Sequence, residues 1–122
     1  SVEDLIELSL KPSIASRSDY LRAIQMVESR FGAGQLHCCF FEQLISEPTV
    51  FADSMFRFLG VNPLGEDLVV PAAVNSAAGG DQPPLALQRA LAKEYLPMTD
   101  QLADRFGGIP REWATKYRKL LG

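Results

Sequence analysis

The stretch Leu36-His37-Cys38-Cys39-Phe40-Phe41 decides how the rest of the chain is read. It is short, apolar and aromatic. Gly32-Ala33-Gly34 precede it and the polar pair Glu42-Gln43 follows it. A run of this length between turn residues predicts a strand buried on both faces, as in a parallel sheet. A lone strand has no ladder partner, and the sequence offers no second convincing strand. The expectation is a mainly α-helical segment with one buried strand at 36–41, its sheet neighbours lying elsewhere.

The flanking sequence reads as helices. N-terminal to the stretch, Tyr20, Ile24, Val27 and Phe31 recur at helical spacing behind Ser18 or Asp19 as cap. Before that, Ser1 to Leu10 is an acidic amphipathic stretch that stops before Lys11-Pro12, and residues 12–18 read as a loop. C-terminal to the stretch, Glu42-Gln43-Leu44 reads as a turn. Ser46-Glu47-Pro48-Thr49 starts a helix with Pro in its first turn. Phe51, Met55, Phe58 and Leu59 form its apolar stripe, and Gly60 ends it. Residues 62–84 are rich in Pro, Gly, Ala, Asn and Asp, a length usually reserved for binding loops or lids. A helix then begins at Leu85, is kinked or broken by Pro97, and stops at Gly107-Gly108. A last helix carries Ile109, Trp113, Tyr117 and Leu120 on one stripe.

The chain has 122 residues, 47% of them apolar and 22% charged, and a net charge of −3. That length suits one domain or a piece of one. The charge argues against a non-specific nucleic-acid or membrane-surface binder, which needs a basic excess. No apolar run is long enough to cross a bilayer, no signal peptide is visible, and there is no initiator Met. Adjacent Cys38 and Cys39 point to opposite faces of an extended chain and do not suit a mutual disulfide. With a single His, a structural zinc site is not expected. A reduced, cytoplasmic setting follows as the expectation.

The order of these features resembles the sulfotransferase family. That family carries a Tyr-led helix ending in an aromatic, then a strand leading into Tyr-Glu-Asp-Leu. An acidic-Pro pair and a helix ending Phe-Leu-Gly come next. The matching residues here are Ser18-Asp19-Tyr20, Phe31, 36–41, Glu42-Gln43-Leu44, Glu47-Pro48 and Phe58-Leu59-Gly60-Val61. Leu91, Tyr95, Leu102, Gly107 and Trp113 resemble the family's later Leu, Tyr, Leu-Gly and Trp positions. The similarity runs over nearly all of residues 1–122. It implies the C-terminal portion of a P-loop-like α/β fold, a parallel sheet flanked by helices. It further implies sulfuryl transfer from 3′-phosphoadenosine 5′-phosphosulfate to a hydroxyl or amine of a small-molecule acceptor. The family's phosphate-binding Gly loop, its Arg/Ser motif and its catalytic His have no counterpart in this chain. The implied partner is therefore the missing N-terminal half of the fold, and the chain alone is expected to be inactive, with no catalytic residue of its own.

The resemblance also implies site residues. Phe41 occupies a position that is Tyr in many family members and packs on the donor's adenine; the alternative is a core Phe. Asn75, Ser76, Gly79 and Gly80 fall where the family covers the donor's 3′-phosphate, although no basic residue accompanies them here; the alternative is a linker. Ser18 and Tyr20, beside Arg17, would line an acceptor or donor pocket; the alternative is a capping Ser and a core Tyr. His37 as a general base is weighed against a structural imidazole within the strand, which is preferred. The alternative for the whole chain is a non-enzymatic helical interaction module.

Overall fold

A computed structural model describes residues 1–63, 80 and 82–122. They fall into two compact units, Ser1–Arg30 with Asp81–Gly122, and Phe31–Gly80.

The first unit is built on a helical hairpin. α6 (Leu85–Phe106) and α7 (Gly108–Leu121) meet at Gly107. Gly107 takes φ 65°, ψ −140°, a conformation essentially reserved for glycine, so the chain reverses within one residue. Its N–H still closes α6 on the carbonyl of Ala103 at 2.8 Å. Antiparallel packing brings the start of α6 to the end of α7, where Arg89 Nε donates to the Leu120 carbonyl at 3.0 Å. Arg118 Nη2 donates to Asp100 Oδ1 at 2.7 Å between the same two helices.

Small residues set the seam of the hairpin. Ala92, Ala103 and Ala114 are buried, and Leu102 supplies the one large aliphatic group among them at 2% exposure. Thr99 is buried as well, but its Oγ1 donates to the Tyr95 carbonyl at 2.8 Å, so no polar atom is stranded. α1 (Val2–Leu10) packs on α6. A short helix α2 (Pro12–Ala15) and a 3₁₀ turn (Ser16–Ser18) occupy the stretch expected as loop. α3 (Tyr20–Phe31) starts as expected, with Asp19 Oδ1 accepting from the Arg22 N–H at 3.1 Å. Arg105 of α6 holds α3 through a two-pronged pair with Glu28, one prong at 3.0 Å from Nη1 to Oε2.

Pro97 neither breaks α6 nor ends it. The helix runs without interruption from Leu85 to Phe106 although Pro97 has no N–H to offer the Lys93 carbonyl. The tertiary seam at Ala92, Thr99 and Leu102 on both sides of Pro97 outweighs the lost hydrogen bond.

The second unit corrects the sequence reading. The expected α/β fold with a buried strand at 36–41 is not found, and the described residues contain no strand. Leu36 and Phe40 do have extended backbone, but residues 36–40 have no ladder neighbour. An extended segment becomes a strand only when another segment takes up its N–H and C=O groups. Phe41 opens α4 (Phe41–Ser46), so Glu42-Gln43-Leu44 is helix and not turn. The Gln43 side chain reaches back to accept from the Phe40 N–H at 3.3 Å, which fixes that helix start.

α5 (Pro48–Leu59) follows with Pro48 at its first position. It closes on Gly60 in the left-handed region (φ 72°, ψ 22°), where the Val61 N–H donates to the Phe56 carbonyl at 3.0 Å and the Gly60 N–H to the Arg57 carbonyl at 3.1 Å. α4 and α5 pack on each other. None of the described residues of this unit is buried, and Phe41 and Ile45 are 69% and 70% exposed.

Candidate functional site

Ser18 and Tyr20, at the end of the 3₁₀ turn and the start of α3, line a cavity of about 180 Å³ in the first unit. From α6 it receives Tyr95, Met98 and Thr99, and from α7 Trp113 and Tyr117. Leu91 and Leu102 complete the lining. The α6–α7 hairpin explains the convergence. Tyr95 and Leu102 are two turns apart on α6, Trp113 and Tyr117 are one turn apart on α7, and the reversal at Gly107 turns both pairs toward the same space.

Among the described residues no carboxylate or basic side chain lines this cavity. Its polar side-chain groups are hydroxyls and the Trp113 indole N–H, and the Thr99 hydroxyl is committed to the Tyr95 carbonyl. The Tyr117 phenol is pushed above its ordinary value, first by burial and then by the neighbouring Tyr20 and Tyr95 phenols. Burial disfavours the phenolate, so Tyr117 stays a neutral donor through the physiological range. A wider groove of about 540 Å³ shares Tyr95 and Met98 with the cavity and is edged by Asp19, Arg22 and Glu94.

The two other sequence-derived sets, Phe41 and Asn75 to Gly80, belong to the second unit of the chain. Phe41 lies on α4 of the second unit, largely exposed. Gly80 is exposed, with open space where a Cβ would stand. Asn75, Ser76 and Gly79 lie outside the described residues. A phosphorylated nucleotide needs cations or converging N–H groups. The sequence from Phe31 to Gly80 holds one Arg57 and no Lys, against the acidic residues Glu42, Glu47, Asp53, Glu66 and Asp67. That segment therefore brings little cationic charge to the phosphates of 3′-phosphoadenosine 5′-phosphosulfate.

His37 is exposed and not part of a buried strand. Its ring stacks on Phe58 at 5.2 Å and 19°, and Nε2 lies 3.2 Å from Ser54 Oγ. This Ser–His contact was not foreseen from the sequence, where the two are separated by α4. It has the wrong polarity for nucleophile activation. Ser54 Oγ donates to the Phe51 carbonyl at 2.7 Å, so it accepts from the imidazole. Cys38 and Cys39 are half-buried and not joined in a disulfide. Among the described residues no group of three or more His, Cys, Asp and Glu is placed to hold a metal ion, and no helix is long and apolar enough to cross a membrane.

No protein-family model, curated protein or solved structure matches this chain. The reading of the cavity therefore rests on its own chemistry. Sequence reasoning singled out Ser18 and Tyr20 for a pocket, but took Trp113 and Tyr117 as helix-stripe residues and Tyr95 as a position of the family resemblance. The one available signal was that all three are amphipathic aromatics, which keep a polar tip when their rings are covered.

Proposed function

We propose that this chain is the acceptor-side part of a sulfotransferase, whose donor phosphates are held by residues outside it. The observation that supports the reading most is the meeting of Ser18 and Tyr20 with Tyr95, Trp113 and Tyr117 around one cavity. In this reading the cavity takes the apolar body of a small acceptor while tyrosine hydroxyls orient its nucleophilic oxygen or nitrogen. The general base and the groups that stabilise the leaving phosphate belong to the missing N-terminal half. The chain alone binds acceptor without turning it over. The reading includes a cytoplasmic location and neither nucleic acid nor membrane as partner.

The test combines binding with turnover. Phenols, sugars and amines are titrated against the chain while the fluorescence of Trp113, the single tryptophan, is followed. At least one acceptor is expected to bind saturably, and the same mixture with donor added is expected to give no sulfated product. Donor-dependent product from the pure chain, or the absence of binding by every acceptor, would refute the proposal.

A second reading, a non-enzymatic helical interaction module, is favoured by the apolar groups that α4 and α5 leave exposed, Ile45 and Leu59 among them. Concentration-dependent self-association abolished by Ile45→Asp, together with an empty cavity in the titrations, would select it.

A further inference from the structure

We propose that the cavity lined by Tyr20, Tyr95, Trp113 and Tyr117 is an aromatic cage for a small organic cation, an alkylated or quaternary ammonium group. The proposal rests on the reading of this cavity as a small-molecule site; it does not require sulfuryl transfer.

Composition and charge carry the argument. Three tyrosines and the only tryptophan of the chain contribute to one space of about 180 Å³. An apolar cavity of about 150 Å³ suffices for benzene, so a branched ammonium headgroup has room. Aromatic faces are electron-rich, and Trp and Tyr are the strongest cation binders among them. Among the described residues no Lys or Arg lines the cavity to repel a cation, and no carboxylate lines it to hold an ammonium by an ion pair. Recognition inside is therefore left to the rings and to the polarizable sulfur of Met98.

The approach has a matching sign. The groove that shares Tyr95 and Met98 with the cavity carries Asp19 and Glu94 against one Arg22. Burial holds Tyr117 in its neutral form, so its ring acts through its face and not through an anionic oxygen. A neutral acceptor would use the same space but gain nothing from the acidic approach. An anionic one would be repelled by it.

The experiment compares choline with its neutral isostere 3,3-dimethyl-1-butanol, and with phenol, on the full chain. Trp113 fluorescence and the ring-current shift of the ligand methyl protons are followed. Choline is expected to bind saturably, at least tenfold more tightly than the neutral isostere, with its methyl signals moved upfield. Tyr20 is 53% exposed, so its replacement leaves the helical seam intact. Tyr20→Ala is expected to weaken choline by about threefold or more, within the roughly two- to thirtyfold that one ring contributes. Tyr20→Phe, which keeps the ring, should retain binding. Saturation with choline should also lower the pH at which Tyr117 ionises, which the neutral isostere cannot do. Equal affinity for choline and the isostere overturns the cation cage while leaving a plain apolar cavity. Binding of phenol without choline does the same. If none of the three binds, this inference falls, and the acceptor-site reading falls with it only when the wider panel of phenols, sugars and amines also fails to bind.

Discussion

Leu102→Ala tests whether the seam of α6 and α7 is the core of the first unit. Leu102 is 2% exposed and is the one large aliphatic side chain among the buried alanines. Truncation removes three carbons, a transfer cost of roughly 2.4 kcal/mol at about 0.8 kcal/mol per buried carbon. The space left behind adds to this, and it opens onto the existing cavity that Leu102 already lines, so collapse brings little relief. Buried Leu→Ala changes span about 2.7–5.0 kcal/mol, and a loss of about 3–4 kcal/mol is expected here. A unit of this size commands roughly 4–11 kcal/mol in total, so the loss removes between about a quarter and all of its stability. The assay is urea denaturation, followed by Trp113 fluorescence, which reports on the first unit, and by far-ultraviolet circular dichroism. Leu59→Ala, at a position 65% exposed, serves as control and should change stability by less than about 0.5 kcal/mol. A loss below about 1 kcal/mol for Leu102→Ala would refute the assignment of the core.

Three further outcomes are expected. Gly107→Ala should destabilise by about 1–3 kcal/mol through backbone conformation alone, since nothing crowds a Cβ there, and chemical denaturation will read it. The Arg105 guanidinium holds the Glu28 carboxyl below its ordinary range, mainly by hydrogen bonding. The stability this provides is complete above the ordinary Glu pKa of about 4.3 and is lost as pH falls through the lowered value. Glu28→Gln should flatten the acid limb of a Tm-against-pH curve. Tyr117 behaves in the opposite sense. Its pKa is raised by burial, so its contribution is complete below the ordinary tyrosine value of about 10 and is lost as pH rises through the raised one. Ultraviolet titration of phenolate should show a late-ionising component that Tyr117→Phe removes.

Much of the helical frame was legible in the sequence because its punctuation is local. Asp19, Pro48, Gly60 and Gly107 each act through their own backbone or the next turn, and each starts or stops a helix as read. The stretch at 36–41 was misread for a physical reason. A continuous apolar run has no period, and its strand reading depends on a ladder partner that local sequence cannot supply. Phe41 went the same way. Its place at the start of α4 depends on the Gln43 side chain reaching back to Phe40, a contact that competes with extension only once the helix forms. At Pro97 the expected break is absent, and the helix continues past it along the seam around Thr99 and Leu102. The cavity was half legible. Ser18 and Tyr20 are neighbours in sequence, but Tyr95, Trp113 and Tyr117 join them only through the reversal at Gly107.

The absence of any buried residue among those described in α4 and α5 bears on how the chain exchanges its amide hydrogens. Helices of six and twelve residues are marginal in water without a covered face. In deuterated buffer the amides of 41–59 should exchange early, by local opening. Those around Ala92, Leu102 and Ala114 should wait for the first unit to unfold. A ligand or subunit that covers Phe41 and Ile45 would announce itself by slowing that early set, which makes exchange at 41–59 a reporter for whatever completes this surface.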